Sequence, residues 1–221
     1  MLKHILFDND GTIVDSEIIA VRSTLSLLQP YGFTMSEQEY SRRFPGLLER
    51  DILAIIEKEH GLVVAEDYFD QLRAIHVEAF ERDLRVIPGM ETIFRGLQVP
   101  KSMVSNGSVR HVLRCLQQVG LYDALDGHIF SAEHVARPKP QPDVYLYAIE
   151  QLGLHASETI VVEDSPTGVA AAKEAGLQVI GFLGAAHIYD GHGEHLTEAG
   201  ADWLATDAEA LGLILQNKGI L

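Results

Sequence analysis

Five short apolar segments, each followed by a stretch with helical periodicity, constrain the fold of this 221-residue chain more than any other feature. Apolar runs of this length that alternate with helices are typical of parallel β-strands joined by crossover helices. The sequence therefore predicts an α/β core with a Rossmann-like, doubly wound parallel sheet. The predicted strands cover residues 3–8, 102–105, 128–131, 159–163 and 178–182.

A long block between the first and second predicted strands shows only helical periodicity. Apolar residues recur at helical spacing in three stretches, residues 19–28, 48–60 and 68–82. After Pro88-Gly89 the pattern returns to alternating strands and helices. We therefore predict two domains: a discontinuous core of residues 1–15 and 86–221, and an all-helical domain of residues 16–85 inserted into it.

Composition and charge exclude several classes of protein. The formal net charge of −15, without a cluster of Lys and Arg, argues against binding to nucleic acid. No apolar stretch approaches the roughly 18 residues of a membrane span, and the residues after Met1 do not resemble a signal peptide. The single cysteine, Cys115, is interpreted as a small packing residue in a helix. We expect a cytoplasmic monomer or weak dimer that binds neither nucleic acid nor membranes.

Polar side chains follow four of the predicted strands, at or shortly after the point where each strand ends. In an open parallel sheet the carboxyl ends of the strands meet at one edge, where ligands bind. We therefore expect these residues to form one site, although they lie far apart in the chain. They are Asp8, Asp10, Ser105, Asn106, Gly107, Lys139, Glu163 and Asp164.

The first of these segments carries two carboxylates that are suited to different tasks. Asp8, at the strand end, can act as a nucleophile. Asp10 lies past the strand end, where the chain turns, and can transfer protons to and from another oxygen atom. Taken alone, a segment of Asp, Asn and Gly is equally consistent with a surface turn.

The second and third segments offer groups that bind phosphate. Ser105, Asn106 and Gly107 combine a hydroxyl with successive backbone N–H groups at the predicted start of a helix. Read in isolation, they also fit an ordinary strand-to-helix turn with a serine cap. Lys139 lies between two prolines, and its ammonium could neutralise both Asp8 and a phosphoryl group. A solvated lysine in a proline-rich loop is the alternative.

The fourth segment places Glu163 and Asp164 after the most apolar predicted strand. Together with the acids of the first segment they would crowd four carboxylates into one place, where they repel each other unless a cation is present. Mg²⁺ binds through one or two carboxylates together with substrate phosphate and water. We therefore predict a Mg²⁺ site. The alternative is that Asp164 or Ser165 caps the helix that begins near Pro166.

The four segments together resemble the motifs of the haloacid dehalogenase superfamily, in its phosphatase and phosphomutase branch with an inserted helical cap. The resemblance covers nearly the whole chain. The matching segments, in the order of the family's motifs one to four, are residues 7–12 (Phe-Asp-Asn-Asp-Gly-Thr), 104–107 (Val-Ser-Asn-Gly), 139–143 (Lys-Pro-Gln-Pro-Asp) and 162–165 (Val-Glu-Asp-Ser).

The resemblance implies a role for each motif residue. Asp8 would form an aspartyl-phosphate, and Asp10 would protonate the leaving alcohol and then activate water. Ser105 and Lys139 would hold the phosphoryl group. The substrate would be a small-molecule phosphate ester. Residues 15–19 and 59–61 look most like bacterial members that hydrolyse sugar phosphates or phosphorylated sugar acids, such as 6-phosphogluconate phosphatases.

The same resemblance implies how the metal is bound. Asp8, the main-chain carbonyl of Asp10 and Asp164 would bind Mg²⁺, and Glu163 would support the metal. The implied activity is Mg²⁺-dependent hydrolysis of a phosphate monoester. Halide chemistry is not expected, because the dehalogenases of the superfamily lack an acid at the position of Asp10.

The helical cap bears on the choice between hydrolase and mutase. Residues 42–50 resemble the cap's specificity loop, with Gly46 at the position of its glycine. Sugar phosphomutases carry an arginine three residues later, where this chain has Glu49, and a histidine early in the cap, where it has Ala20. Arg50 is a candidate substrate ligand. Hydrolysis is therefore favoured, and the alternatives are a β-phosphoglucomutase-like enzyme and a non-catalytic phosphate-binding protein.

Two late features have no role in this scheme. His187, His192 and His195 could bind a transition metal, but their spacing matches no standard zinc site. We interpret this stretch as a surface loop after the last core strand. Trp203 lies in a short apolar run and is expected to pack within a late strand or helix.

Overall fold

The computed structural model describes residues 1–44 and 47–221. Within them, six parallel strands form one sheet in the order β3-β2-β1-β4-β5-β6. This order confirms the predicted α/β, doubly wound core. The run at Trp203 forms the sixth strand. The strands are β1 (His4–Phe7), β2 (Lys101–Ser105), β3 (Ile129–Ser131), β4 (Thr159–Glu163), β5 (Gln178–Phe182) and β6 (Trp203–Ala205).

The α-helices fall into an inserted set and a set that alternates with the strands. The inserted helices are α1 (Glu17–Leu28), α2 (Glu37–Arg43), α3 (Glu49–His60) and α4 (Tyr68–Asp83). The others are α5 (Met90–Gly96), α6 (Val109–Gln118), α7 (Asp143–Leu152), α8 (Pro166–Glu174), α9 (His192–Glu198) and α10 (Ala208–Asn217). Short 3₁₀ helices cover Gln29–Tyr31, Tyr122–Ala124, Ala132–His134 and Ala156–Glu158. Gly46, the glycine matched to the specificity loop, lies outside the described residues.

The position of β1 in the middle of the sheet determines where the candidate site forms. Phe7 pairs with Met103 of β2 on one side and with Val162 of β4 on the other. The residues that follow these three therefore emerge at the same edge of the sheet. All four residues of β1 are buried, as expected for a central strand covered on both faces.

A cluster of buried apolar side chains packs across the central strands. Leu6, Val104 and Val161 come from the three central strands, and they pack with Tyr145 of α7 and Val169 of α8. Each large apolar side chain that is fully buried stabilises the fold by about 1.5–3 kcal/mol. The edge that carries the site thus lies next to buried, packed side chains of the three central strands.

The described residues form two compact units. Unit 1 comprises Met1–Asp15, Arg85–Ala185 and Gly191–Leu221, and unit 2 comprises Ser16–Leu84 and Ala186–Asp190. These bounds differ from the predicted domains at Arg85 and at Ala186–Asp190, and the domain assignment itself stays a prediction. In the part of the chain that is described, no helix is both long and apolar enough to cross a membrane.

Candidate active site

The ammonium of Lys139 is the central group of the site. The residue is 6% exposed, and its ammonium donates hydrogen bonds to Asp8 Oδ1 at 2.6 Å, Glu163 Oε1 at 2.8 Å and the carbonyl oxygen of Val104 at 2.9 Å. These bonds satisfy its three donors. The side chain therefore joins the ends of β1, β2 and β4, as the strand-end argument predicts, and it is not a solvated lysine.

Asn106 fixes the backbone of Lys139. Its Nδ2 donates to the carbonyl oxygen of Lys139 at 3.1 Å, and the N–H of Lys139 donates to its Oδ1 at 2.9 Å. This reciprocal pair uses the donor and the acceptor of one side-chain amide on one residue 33 positions away. The geometry gives the Asn106 side chain a positioning role, and the predicted phosphate contact through its backbone N–H stays a prediction.

The loop after β2 is held by one hydrogen bond from within it and one from β3. The N–H of Gly107 donates to Ser105 Oγ at 2.9 Å, and Ser131 Oγ donates to the carbonyl oxygen of Gly107 at 2.7 Å. Helix α6 begins later than predicted, at Val109, and Ser108 caps it. The Gly107 N–H is therefore used within the loop, in contrast to the prediction that it binds phosphate. The buried Ser105 hydroxyl accepts that bond and can still donate its own proton.

Asp164 is fixed at both its side chain and its backbone. Thr12 Oγ1 donates to Asp164 Oδ1 at 2.9 Å. His192 Nε2 lies 2.6 Å from the carbonyl oxygen of Asp164 and must carry the proton, because a carbonyl can only accept. Two elements that follow different strands thus hold this residue in place.

The contact with His192 corrects the interpretation of the histidine-containing stretch as a surface loop. His192 is 4% exposed, and it begins α9 rather than lying in a loop. Sequence reasoning named His192 but missed this role, because its partner is a backbone carbonyl, which has no side-chain signature. It also missed Thr12, for which the only signal was a hydroxyl placed directly after Gly11.

The carboxylate of Glu163 is occupied by hydrogen bonds within the protein, which is not expected of a metal ligand. It is fully buried, and while Oε1 accepts from Lys139, Oε2 accepts from the N–H and the hydroxyl of Ser165 at 2.8 and 2.9 Å. Gly168 allows this packing, since a Cβ there would lie 1.6 Å from Oε1. Both oxygens are thus engaged, and the geometry does not support the predicted metal role of Glu163. Ser165 provides the cap of α8.

Asp10 has a partner that the sequence analysis did not identify. Its Oδ1 lies 2.9 Å from His111 Nε2, and the same nitrogen lies 3.6 Å from Cys115 Sγ. The hydrogen bond to Asp10, together with that to Cys115, raises the pKa of His111 to about 10. The only sequence signal for His111 was its position one turn into the helix after the predicted phosphate loop.

The electrostatics of the site favour a cation of the Mg²⁺ type. Burial raises the pKa of Asp8 and of Asp164 above the usual range, although the charge of Lys139 acts in the opposite direction. Burial alone would lower the pKa of Lys139, but Asp8 and Glu163 outweigh it and raise that pKa. One ammonium thus faces three buried carboxylates. Asp8 and Asp164 offer oxygen atoms, the ligands that Mg²⁺ prefers, so the residues fit this ion.

Arg50 lies in unit 2, in the first turn of α3. Its side chain is 74% exposed, and its Nε lies 3.7 Å from Asp51 Oδ1. Its proposed contact with substrate stays a prediction. Glu49, in the same turn, accepts a hydrogen bond from Thr24 Oγ1 at 3.1 Å. The carboxylate found where the mutases have an arginine therefore contacts its own unit.

Comparisons with known proteins show which family the sequence matches. Residues 5–182 match the model of the haloacid dehalogenase-like hydrolase family. The chain is 28% identical over 187 residues to 6-phosphogluconate phosphatase of Escherichia coli K12, covering 84% of this chain and 85% of that one.

Two crystal structures share the fold over nearly the whole chain. A conserved haloacid dehalogenase-like protein of Agrobacterium tumefaciens C58 has a TM-score of 0.91 and 34% identity, covering 99% of this chain and 100% of that one. A HAD family hydrolase of Deinococcus radiodurans R1, crystallised with bound phosphate and sodium, has a TM-score of 0.89 and 31% identity, covering 100% of this chain and 97% of that one.

Proposed function

This chain belongs to the haloacid dehalogenase-like hydrolase family, and we propose that it hydrolyses phosphate monoesters by way of a phosphorylated Asp8 in a Mg²⁺-dependent reaction. Phosphatase activity on small phosphorylated metabolites is the general assignment that the family and the named relatives support. The observation that carries the finer proposal is the buried Lys139 ammonium, bonded at once to Asp8 and Glu163 at the shared end of the central strands.

The proposed chemistry has two steps. Asp8 is held through Oδ1 by Lys139, and its Oδ2 forms a bond to phosphorus as the bond from phosphorus to the leaving oxygen breaks. Asp10 gives its carboxyl proton to that oxygen. Water then attacks phosphorus, Asp10 takes up the proton of the water, and the bond between Asp8 and phosphorus breaks to release phosphate.

The remaining residues stabilise charge and orientation. The Lys139 ammonium opposes the negative charge on the phosphoryl oxygens, and the Ser105 hydroxyl donates to one of them. Asn106 holds the backbone of Lys139 in place for this task. His111 orients Asp10 through its hydrogen bond to Oδ1.

Asp8 and Asp164 would hold the Mg²⁺, with the main-chain carbonyl of Asp10 that the family resemblance implies. When bound, the ion supplies positive charge that neutralises the transferring phosphoryl group. Thr12 and His192 hold Asp164 in position for this role through hydrogen bonds to its side chain and its carbonyl oxygen. Glu163 acts through Lys139, whose ammonium it positions.

The activity is tested with purified protein, Mg²⁺ and a panel of p-nitrophenyl phosphate, sugar phosphates and phosphorylated sugar acids that includes 6-phosphogluconate. We expect phosphate release that a chelator of divalent cations abolishes and added Mg²⁺ restores. β-Glucose 1-phosphate with a trace of the bisphosphate tests the mutase alternative, which would yield glucose 6-phosphate. Binding of phosphorylated compounds without turnover on the whole panel would favour the non-catalytic alternative.

His192 provides a test of the proposed metal site. We expect His192→Phe to raise the Mg²⁺ concentration for half-maximal activity by about 10–100-fold, the usual cost of losing a group that orients a metal ligand. The KM for substrate at saturating Mg²⁺ should change less. His192→Gln, which retains a donor, should recover part of the effect.

The control for this experiment is His195→Phe, an exposed position in the same helix. Initial rates against Mg²⁺ concentration, and the Mg²⁺-dependent rise in Tm, should be close to wild type for this variant. If His192→Phe showed the Mg²⁺ dependence of the wild type by both measurements, the positioning role would be wrong.

A further inference from the structure

A second set of potential metal ligands lies beside the proposed Mg²⁺ site and has a different chemical character. Asp10, His111 and Cys115 offer a carboxylate oxygen, an imidazole nitrogen and a sulfur atom, all within 4.8 Å of one another. His111 and Cys115 are four residues apart in α6 and therefore project from the same face of the helix. Among the described residues, no other group of three or more His, Cys, Asp or Glu side chains has this spacing.

We propose that Asp10, His111 and Cys115 form an inhibitory site for a transition-metal ion such as Zn²⁺. Imidazole and thiolate ligands favour Zn²⁺, whereas Mg²⁺ takes oxygen ligands and usually retains water. Three protein ligands would leave one position of a tetrahedral ion open to water or phosphate. The site is therefore chemically distinct from the one formed by Asp8 and Asp164.

Two of the three distances between the ligand atoms are close to those that Zn²⁺ requires, and the third, from Asp10 to Cys115, is within 4.8 Å. With Zn–N and Zn–S bonds of about 2.0 and 2.3 Å, a tetrahedral ion separates its nitrogen and sulfur ligands by about 3.5 Å. His111 Nε2 and Cys115 Sγ lie 3.6 Å apart. Asp10 Oδ1 lies 2.9 Å from the same nitrogen, so the carboxylate must move outward by a few tenths of an ångström to admit the ion.

The site is accessible to an ion, and binding there must displace protons. Cys115 is buried, but the side chains of His111 and Asp10 are 35% and 21% exposed, so an ion can approach the sulfur past these two groups. Binding releases the thiol proton of Cys115 to solvent. It also requires His111 to carry its proton on Nδ1, so any proton on Nε2 leaves as well.

The inhibition follows from the position of Asp10 and rests on the proposed function. An Asp10 carboxylate that is bound to Zn²⁺ cannot give a proton to the leaving oxygen or take one from water. Zn²⁺ should therefore stop turnover even when Mg²⁺ is saturating, and Mg²⁺ should not relieve the inhibition.

Co²⁺ is the probe for binding, because it occupies zinc sites and its bond to a thiolate absorbs in the near ultraviolet. Cys115 is the only cysteine of the chain, so this absorption reports the site directly. We expect the full-length, reduced wild-type protein to show the band at saturation with one Co²⁺ per chain, in the presence of excess Mg²⁺. Zn²⁺ should remove the band, since it binds such sites more tightly than Co²⁺.

Cys115→Ala and Cys115→Ser should lack this band, and either one suffices if the other fails to fold by circular dichroism. In the activity assay, the rate of each variant is compared with its own rate without Zn²⁺. The Zn²⁺ concentration for half inhibition should be about 100-fold higher for these variants than for the wild type.

Absence of the band in the wild type would overturn the proposal. So would equal Zn²⁺ inhibition of the wild type and Cys115→Ala, which would mean that Zn²⁺ displaces Mg²⁺ at Asp8 and Asp164. The absorption requires no turnover, so the band in an inactive wild-type protein would support the site and count against the phosphatase proposal alone.

Discussion

Asp8→Asn is expected to reduce phosphate release by about 10⁴- to 10⁶-fold, the range seen when an enzyme loses a member of its nucleophilic machinery. The amide cannot form the acyl-phosphate bond, and it removes one negative charge beside Lys139 and the proposed metal. The variant has nearly the shape of the wild type, and its Oδ1 can still accept a hydrogen bond from Lys139. The fold should therefore be retained. Steady-state phosphate release with saturating Mg²⁺ provides the measurement.

The covalent intermediate gives a second readout for the same variant. Acid-quenched wild-type protein should carry one phosphoryl group per active chain during turnover, detected as an increase in mass, and Asp8→Asn should carry none. Asp123→Asn is the matched control, because that carboxylate is exposed and pairs with Arg95 on the surface. It should behave as wild type in both assays. Turnover retained by Asp8→Asn would rule out the proposed nucleophile.

The fold could be predicted from sequence where a single periodicity extends over a whole element. The segments 102–105 and 159–163 correspond to β2 and β4 within one residue, because a central parallel strand is apolar on both faces and ends in turn residues. The sixth strand, Trp203–Ala205, could not be distinguished from a helix. Three residues are too few to show a period.

The site could be predicted only to the level of strand ends. Parallel pairing brings the ends of β1 and β4 together in any such fold, so the proximity of Asp8 and Asp164 follows from topology. The bonds between Asn106 and Lys139 depend on two loops that meet only in the folded chain. A reader of the sequence sees a polar residue in a phosphate loop and has no means of knowing that its amide is already used.

The same limit applies to the two residues that hold Asp164, a proposed metal ligand, in place. Thr12 and His192 act on Asp164 from segments that lie 152 and 28 residues away in sequence. Neither residue type is unusual in a turn or at the start of a helix. What identifies them is burial together with a partner, and both are properties of the folded state.

Lys139→Met should lower both the phosphatase activity and the free energy of unfolding. The loss of stability should be the largest expected of any single substitution in the site. The buried carboxylates of Asp8 and Glu163 would lose their shared cation, and breaking a buried ion pair from one side costs about 3–5 kcal/mol of unfolding free energy. Urea unfolding in the presence of a chelator, at neutral pH, provides the measurement. Turnover should fall as well, because no ammonium remains to oppose the phosphoryl charge.

The pH dependence of this deficit separates lost charge from lost packing. Without the ammonium, the folded-state pKa of Asp8, already raised by burial, lies further above its unfolded value. The folded variant then binds more protons than the unfolded chain between these two pKa values, so its stability should rise as the pH is lowered through that window. Wild-type protein should gain less. A stability deficit that did not change between neutral and mildly acidic pH would indicate packing as the cause.

Lys173→Met, which removes a partly exposed ammonium bonded to Asp202, is the matched control and should lower the free energy of unfolding by at most about 1 kcal/mol. Equal stability of Lys139→Met and wild type would show that the carboxylates of the site do not depend on Lys139 as their counterion.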